Sequence, residues 1–272
     1  MKKNPYVLAV TAIALIAVVT SCKKDSGSNN NPGGQSGSLV RIQQGVSVDD
    51  DTVYLIRYDG QKRVSAIIDS INLDTLTAAY NSSNQLTDIQ ETSPYGHDHL
   101  SATYNGSGQL TELNSSFFGQ KDKYVFEYSG SMPSKKSYYT DAGQGGSVAL
   151  YRYYTYTLTG TNITGIKEYS AGDVFLGERK ITYGTQTNPF KGLTLFNWGN
   201  RLGIEDIITQ ETFFNTNMAT NTAWYDDSNN MAYSTAVTPA NNSSNIPTGI
   251  TAAEKYADGE LQNLFTWSFS YK

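Results

Sequence analysis

A tyrosine-led module returns along this chain at nearly constant spacing, and no other feature restricts the possible folds so strongly. Residues 58–67 read YDGQKRVSAI, 80–89 read YNSSNQLTDI and 104–113 read YNGSGQLTEL. In each, an aliphatic residue follows the tyrosine by six positions and a second comes three later, giving the pairs Val64/Ile67, Leu86/Ile89 and Leu110/Leu113. Another copy starts at Tyr128, its second half degraded around Met132 and Pro133. Looser copies run from Tyr156 to Ile163 and Ile166, from Tyr225 to Met231, and from Tyr256 to Leu261 and Leu264. The first four tyrosines stand 22, 24 and 24 residues apart, a period at which each repeat is one supersecondary unit.

The residue types say which unit. Tyrosine suits a pleated, half-buried surface and closes one strand. The Asp, Asn, Gly and Ser cluster behind it accepts positive φ and bonds its own backbone, so the chain turns there. The aliphatic residue opens the return strand. Each copy therefore reads as a β-hairpin with a loop of about four or five residues. Two further segments alternate with period two: Tyr124, Phe126 and Tyr128, and Phe265, Trp267, Phe269 and Tyr271. The expected fold is all-β, an antiparallel meander of repeated hairpins curling into a barrel-like sheet. The spacing predicts one short helix around Arg201–Thr209 and a long loop over 236–248. Aliphatic residues three apart fall on opposite faces of a regular strand. Either the first plugs the end of the sheet or a β-bulge re-aims it.

The N-terminus predicts export. Lys2 and Lys3 precede an apolar run from Tyr6 to Val19, the length of a signal peptide and short of the roughly twenty residues of a membrane-spanning helix. The run ends in Val19-Thr20-Ser21-Cys22, which resembles a lipobox, and Cys22 is the one cysteine in the chain. The expected organisation is a signal peptide over 1–21, a lipidated Cys22 with a disordered tether over 22–38, and a single β-repeat domain over 39–272. The tether composition, KKDSGSNNNPGGQSGS over 23–38, has nothing to bury and reaches on the order of 20 Å as a flexible chain. Cleavage removes two lysines and no acid. The formal net charge then falls from −5 to −7, with 18 basic against 25 acidic side chains. That balance argues against nucleic acid as a partner and against electrostatic docking on anionic lipid. Twenty tyrosines, 24 glycines and 17% charged residues suit a β-rich extracytoplasmic protein.

The Tyr-Asp/Asn…Gly…Leu-x-x-Ile pattern resembles the YD repeats of RHS-type shell proteins. The lipobox, Asn188-Pro189-Phe190-Lys191-Gly192-Leu193 and a late Ile246-Pro247-Thr248 before an aromatic strand add a second likeness. Together they are similar to a family of Bacteroidota lipoproteins of unknown function with a porin-like fold. The resemblance implies a fold and an outer-membrane location, with display at the cell surface in view of Lys23-Lys24-Asp25, but no reaction. A membrane-spanning barrel is not expected. Its strands would need apolar outward faces, and these carry Asp88, Glu91, Glu112, Glu127, Lys135, Lys136, Arg152, Lys167 and Glu168.

Among motifs that carry chemistry, the sequence from Cys22 onward has no Gly-x-Ser-x-Gly elbow, His-Glu-x-x-His, phosphate-binding Gly-x4-Gly-Lys or Ser-x-x-Lys. His97-Asp98-His99 holds both histidines, and an extended segment would turn them to one face as weak metal-ligand candidates. The adjoining Ser93-Pro94-Tyr95-Gly96 reads as a turn and favours an exposed loop instead, with no third ligand in sequence reach. Asp49-Asp50-Asp51 reads as a solvated acidic lead-in rather than a calcium site. Trp198, Trp224 and Trp267 are candidate platforms for sugar rings, set against a core role. Asp51-Thr52-Val53, Asp69-Ser70-Ile71 and Asp74-Thr75-Leu76 resemble Bacteroidota O-glycosylation acceptors, making Thr52, Ser70 and Thr75 candidates. No cofactor is expected. The leading expectation is a lipid-anchored, non-enzymatic envelope protein that binds a glycan or a protein partner. A polysaccharide hydrolase using a carboxylate pair and a structural spacer or shell are the alternatives.

Overall fold

The computed structural model describes residues 38–45, 52–94, 96–117, 119–142, 145–190, 215–244 and 246–272. Sixteen strands account for almost all of them: β1 (Leu39–Gly45), β2 (Thr52–Tyr58), β3 (Val64–Asp69), β4 (Thr75–Tyr80), β5 (Leu86–Ser93), β6 (Gly96–Tyr104), β7 (Leu110–Phe117) and β8 (Gln120–Ser129) form the first half. The second half comprises β9 (Met132–Thr140), β10 (Ala149–Thr159), β11 (Asn162–Ser170), β12 (Phe175–Thr187), β13 (Asn217–Asp226), β14 (Met231–Asn241), β15 (Pro247–Tyr256) and β16 (Leu261–Tyr271). Every strand pairs antiparallel with its sequence neighbours, and β1 pairs with β16, so the meander closes into a barrel. Sheet closure removes both edges, which would otherwise offer unpaired amides to other chains.

The repeat builds one end of this barrel. Tyr58, Tyr80 and Tyr104 are the last residues of β2, β4 and β6, and Val64, Leu86 and Leu110 open the strands that follow. The turns share one chemistry. In the first, the Asp59 carboxylate accepts the amides of Gln61 and Arg63, each at 2.9 Å. Asn81 does the same for Ser83 and Gln85, and Asn105 for Ser107 and Gln109. The residue closing each loop lies in the left-handed region: Lys62 at φ 62°, Asn84 at 62° and Gly108 at 80°.

The spacing of three is resolved by a bulge in each hairpin. Arg57 faces Ala66 while Tyr58 faces Val64, leaving Ser65 extra. Thr87 and Thr111 are extra in the same way between β4 and β5 and between β6 and β7. The inserted residue brings both aliphatics to one face, so Val64 and Ile67, Leu86 and Ile89, and Leu110 and Leu113 are all buried.

The bulge also stops the ladder on the other side of each strand. β5 pairs with β6 only as far as Asp88↔Ser101, so Leu86 lies beyond the last pair. The Tyr104 hydroxyl donates to the Leu86 carbonyl at 2.8 Å. The same bond recurs from Tyr58 to Leu39, Tyr80 to Val64, Tyr128 to Leu110, Tyr183 to Ile163 and Tyr271 to Pro247. A phenylalanine would pack there but leave the carbonyl unsatisfied.

A circular sheet of sixteen strands would enclose a wide aqueous lumen. Here the turn end is filled. Ile42, Ile67, Leu113 and Ile163 are fully buried, and so is Phe190, which leaves the end of β12 and packs edge-on against Phe269 of β16 at 5.4 Å. Asn215 braces this crossing: its side chain accepts the Ile163 amide at 2.7 Å and donates to the Tyr183 hydroxyl at 2.6 Å.

Some expectations change. Residues 236–248 are no long loop: they are the ends of β14 and β15 around a turn in which Asn242 accepts the amides of Ser244 and Ile246. A polar stretch containing Pro239 conceals a strand because its outward positions are alanine and threonine. The copies led by Tyr225 and Tyr256 turn at the opposite end of the barrel from the first four, and Leu261 and Leu264 point outward, each 52% exposed. In the Tyr156 copy, Leu158 takes the strand-end position opposite Ile163. The segment 201–209 lies outside the described residues.

Candidate functional site: the polar inner wall

The inward face is not uniform. Along β1–β7 it is mostly aliphatic, with Ile42, Ile56, Ile67, Leu76, Ile89, Leu100 and Leu113 buried. Along β8–β14 it becomes aromatic and charged. Cross-strand pairing sets Phe126, Lys136, Tyr154, Glu168 and Gly177 in one row and Tyr124, Tyr138, Arg152 and Ser170 in the next. Paired residues share a face, and Phe126 is buried at 4% exposure, so both rows look inward.

Each charge in this wall has company. Arg152 donates to the Glu168 carboxylate, which is nearly buried, and also to the Tyr151 hydroxyl at 3.0 Å. Lys136 sets its ammonium 4.4 Å from the Tyr154 ring centre, close enough for the ring face to attract it. Tyr124 and Tyr138 stack at 4.9 Å, and the Tyr138 hydroxyl donates to Asp122 at 3.0 Å. Further round, the Arg179 guanidinium lies 5.8 Å over Trp224 and donates to the Tyr233 hydroxyl at 3.1 Å. Trp224 lies so close to Gly177 that a Cβ there would meet its Cζ2 at 2.6 Å. The glycine, the strand partner of Glu168, is what leaves room for the indole. Tyr138, Tyr154, Arg179, Trp224 and Tyr233 remain half-buried, so water reaches this wall although the turn end is filled. Flat rings alternating with fixed donors and acceptors can take a polar ligand with apolar faces.

The residues singled out from sequence scatter. Trp224 belongs to this wall. Trp267 is 3% exposed, stacked on Phe265 at 5.9 Å, and is core. Trp198, Cys22 and Asp49-Asp50-Asp51 lie outside the described residues. His97 and His99 stand in β6 rather than in a loop, because β5 and β6 stay paired as far as Ser93↔Gly96. His99 pairs on the outer face with Asp88 of β5. Among the described residues no group of three or more His, Cys, Asp or Glu side chains is placed to hold a metal ion. Thr52 opens β2, Thr75 opens β4, and Ser70 sits exposed in the turn between β3 and β4, its hydroxyl donating to the Val53 carbonyl at 3.1 Å.

The wall's charged members were visible in the sequence but assigned to the wrong side. Glu91, Lys136, Arg152 and Glu168 face inward: Glu91 opposes buried Leu76, and the others lie in the rows above. Asp88, Glu112, Glu127, Lys135 and Lys167 do point outward. The alternation YRYYTY over 151–156 was the available signal, yet the bulges around it hide which parity is inward.

A closed, up-and-down antiparallel barrel of sixteen strands is thus the class to which the fold belongs. Solved structures agree with it. The chain is similar to a porin-like protein from Bacteroides uniformis at 16% identity and a TM-score of 0.57, over 87% of this chain and 96% of that one. It is also similar to a porin-like protein from Bacteroides vulgatus at 10% identity and a TM-score of 0.52, over 87% and 99%. At such identities the likeness establishes the fold. No protein-family profile matches the chain, and no curated protein does.

Proposed function

We propose that the mature chain is a lipid-anchored protein of the outer membrane, held by Cys22, whose barrel binds a glycan on its polar inner wall without transforming it. The observation that carries this reading is the half-buried row of Arg179, Trp224 and Tyr233, with Tyr154 in the adjoining row beside the Arg152–Glu168 pair. Rings give sugar faces an apolar surface, and the guanidinium and carboxylate groups offer hydrogen bonds to hydroxyls. Glu168, the carboxylate beside Trp224, is already engaged by Arg152, which favours recognition over acid–base work. An inward pair of acids, Glu91 and Asp98, faces across β5 and β6, whereas Trp224 stands on β13. The outward face with its lysines and acids suits water rather than lipid, so the anchor and not the barrel is the membrane attachment.

A glycan array followed by calorimetry tests the binding. Trp224→Ala should weaken the affinity for any glycan found by about tenfold or more, the loss of one buried aromatic contact, with Trp224→Phe in between. Equal affinity in wild type and Trp224→Ala would sink the site. Incorporation of a labelled fatty acid, lost in Cys22→Ser, tests the anchor.

A further inference from the structure

A second site lies outside the barrel. Beside the seam where β1 meets β16, at the filled end, a groove of about 820 Å³ opens to solvent. Its lining includes Ser38, Val40, Arg57, Lys62, Ser65 and Lys272. The three cations come from three separately fixed segments. Arg57 projects outward from β2. Lys62 is set by its left-handed turn position at φ 62°. Lys272 is held by reciprocal backbone bonds with Ser38, both 3.0 Å. Among the described residues no Asp or Glu side chain lines the groove. Asp59, the acid of the turn that holds Lys62, is taken by Arg63 at 2.7 Å, while Arg57, Lys62 and Lys272 join no ion pair among the described residues.

On a chain with net negative charge, three cations gathered in one concavity with no acidic side chain among its described lining make a local anion trap. A guanidinium fork, two ammonium groups and the hydroxyls of Ser38 and Ser65 match a tetrahedral oxyanion. We propose that this groove binds a phosphate group, as a monoester or a diester. Two sources carry that chemistry, a small soluble phosphate and a phospholipid headgroup. The lipid source rests on the anchored reading above, because Ser38 lines the groove and the chain before it leads back to Cys22. The soluble source does not.

The test is lysine acetylation of the full chain in a phosphate-free glycoside detergent, read by peptide mass spectrometry. One arm adds inorganic phosphate, a second adds phosphatidylglycerol vesicles, and a third adds vesicles of a phosphate-free galactolipid. Acetylation of Lys62 and Lys272 should slow about fivefold or more at saturating phosphate, following single-site occupancy, while Lys167 and Lys255 on the outer wall keep their rates. Arg57→Gln should abolish the protection and leave the β-sheet circular dichroism unchanged. Protection by inorganic phosphate assigns a soluble ligand, and protection by phosphatidylglycerol alone assigns a headgroup. Unchanged rates in every arm, slowing shared by Lys167 and Lys255, protection equal in galactolipid, or protection that survives Arg57→Gln would each overturn the proposal. The mass of the peptide starting at Cys22, read from the same sample, tells a failed anchor apart from a failed phosphate site.

Discussion

Tyrosine outperforms phenylalanine in this fold because of one oxygen. The six hydroxyl-to-carbonyl bonds satisfy backbone acceptors that the bulges leave beyond the ladder, and each phenol must be partly buried to reach its partner. Burial pushes the pKa of Tyr104, Tyr128 and Tyr271 up to about 12. The fold therefore holds the neutral phenol. Its stabilisation is complete below the ordinary tyrosine value of about 10 and is lost as the pH rises through 12. Absorbance titration of tyrosinate should show the exposed phenols ionising first and a late group ionising together with loss of the sheet signal. A single non-cooperative titration centred at the ordinary value would contradict the ladder. Tyr104→Phe should cost about 1–2 kcal/mol in denaturant melts, the price of one unsatisfied carbonyl. An opposite sign is expected at Leu73, which is 69% exposed and sits at φ 60°. Leu73→Gly should stabilise by about 1 kcal/mol, since a side chain in that region costs roughly 1–2 kcal/mol and glycine's looser unfolded chain returns part of it.

At the scale of elements, the hairpin is the repeating unit and its turn is the instruction. The Asn105 side chain accepts the amides of Ser107 and Gln109, both at 3.0 Å. Asn105→Ala removes the one oxygen that accepts both amides and should destabilise by about 1–2 kcal/mol, with Asn105→Asp close to wild type. Hydrogen exchange of those two amides should accelerate in the alanine variant before any change elsewhere. If exchange speeds up uniformly instead, the turn is not a local unit. Adjacent turns also touch: Arg63 reaches Asn84 at 2.9 Å and Gln109 reaches the Gly130 carbonyl at 2.6 Å. The position five after the leading tyrosine thus links one copy to the next in Arg63 and Gln109, whereas Gln85 bonds within its own turn, accepting from the Asn81 side-chain amide at 2.8 Å.

For the molecule as a whole, closure is the decisive event. β1 pairs with β2 on one side and with β16 on the other, so its loss would expose two edges at once. A chain lacking residues 38–45 should associate or aggregate, because open edges recruit other strands, and light scattering after size exclusion reads this directly. A monomer with native sheet content would show that the seam is dispensable. Closure also sorts the charges. It turns Lys136, Arg152 and Glu168 onto a shared inner wall while Lys135 and Lys167, one residue away, meet solvent.

Local chemistry made the hairpins legible. Tyrosine at a strand end, Asx at the turn and an aliphatic opening the return all act within about ten residues, so the hairpins could be placed from sequence. The spacing of three in Val64/Ile67, Leu86/Ile89 and Leu110/Leu113 left plug and bulge open until the strand pairing chose the bulge. The facing of Arg152 or Glu168 could not be placed from sequence, because each bulge inverts the alternation of everything beyond it. The same holds for Trp267, whose aromatic strand was plain but whose inner side was settled only by pairing with β1 and β15. Pairing of Leu39 with Tyr271, and the reach of Phe190 to Phe269, join segments far apart in the chain. Such contacts depend on summed register around sixteen strands, a quantity that no single stretch of sequence contains.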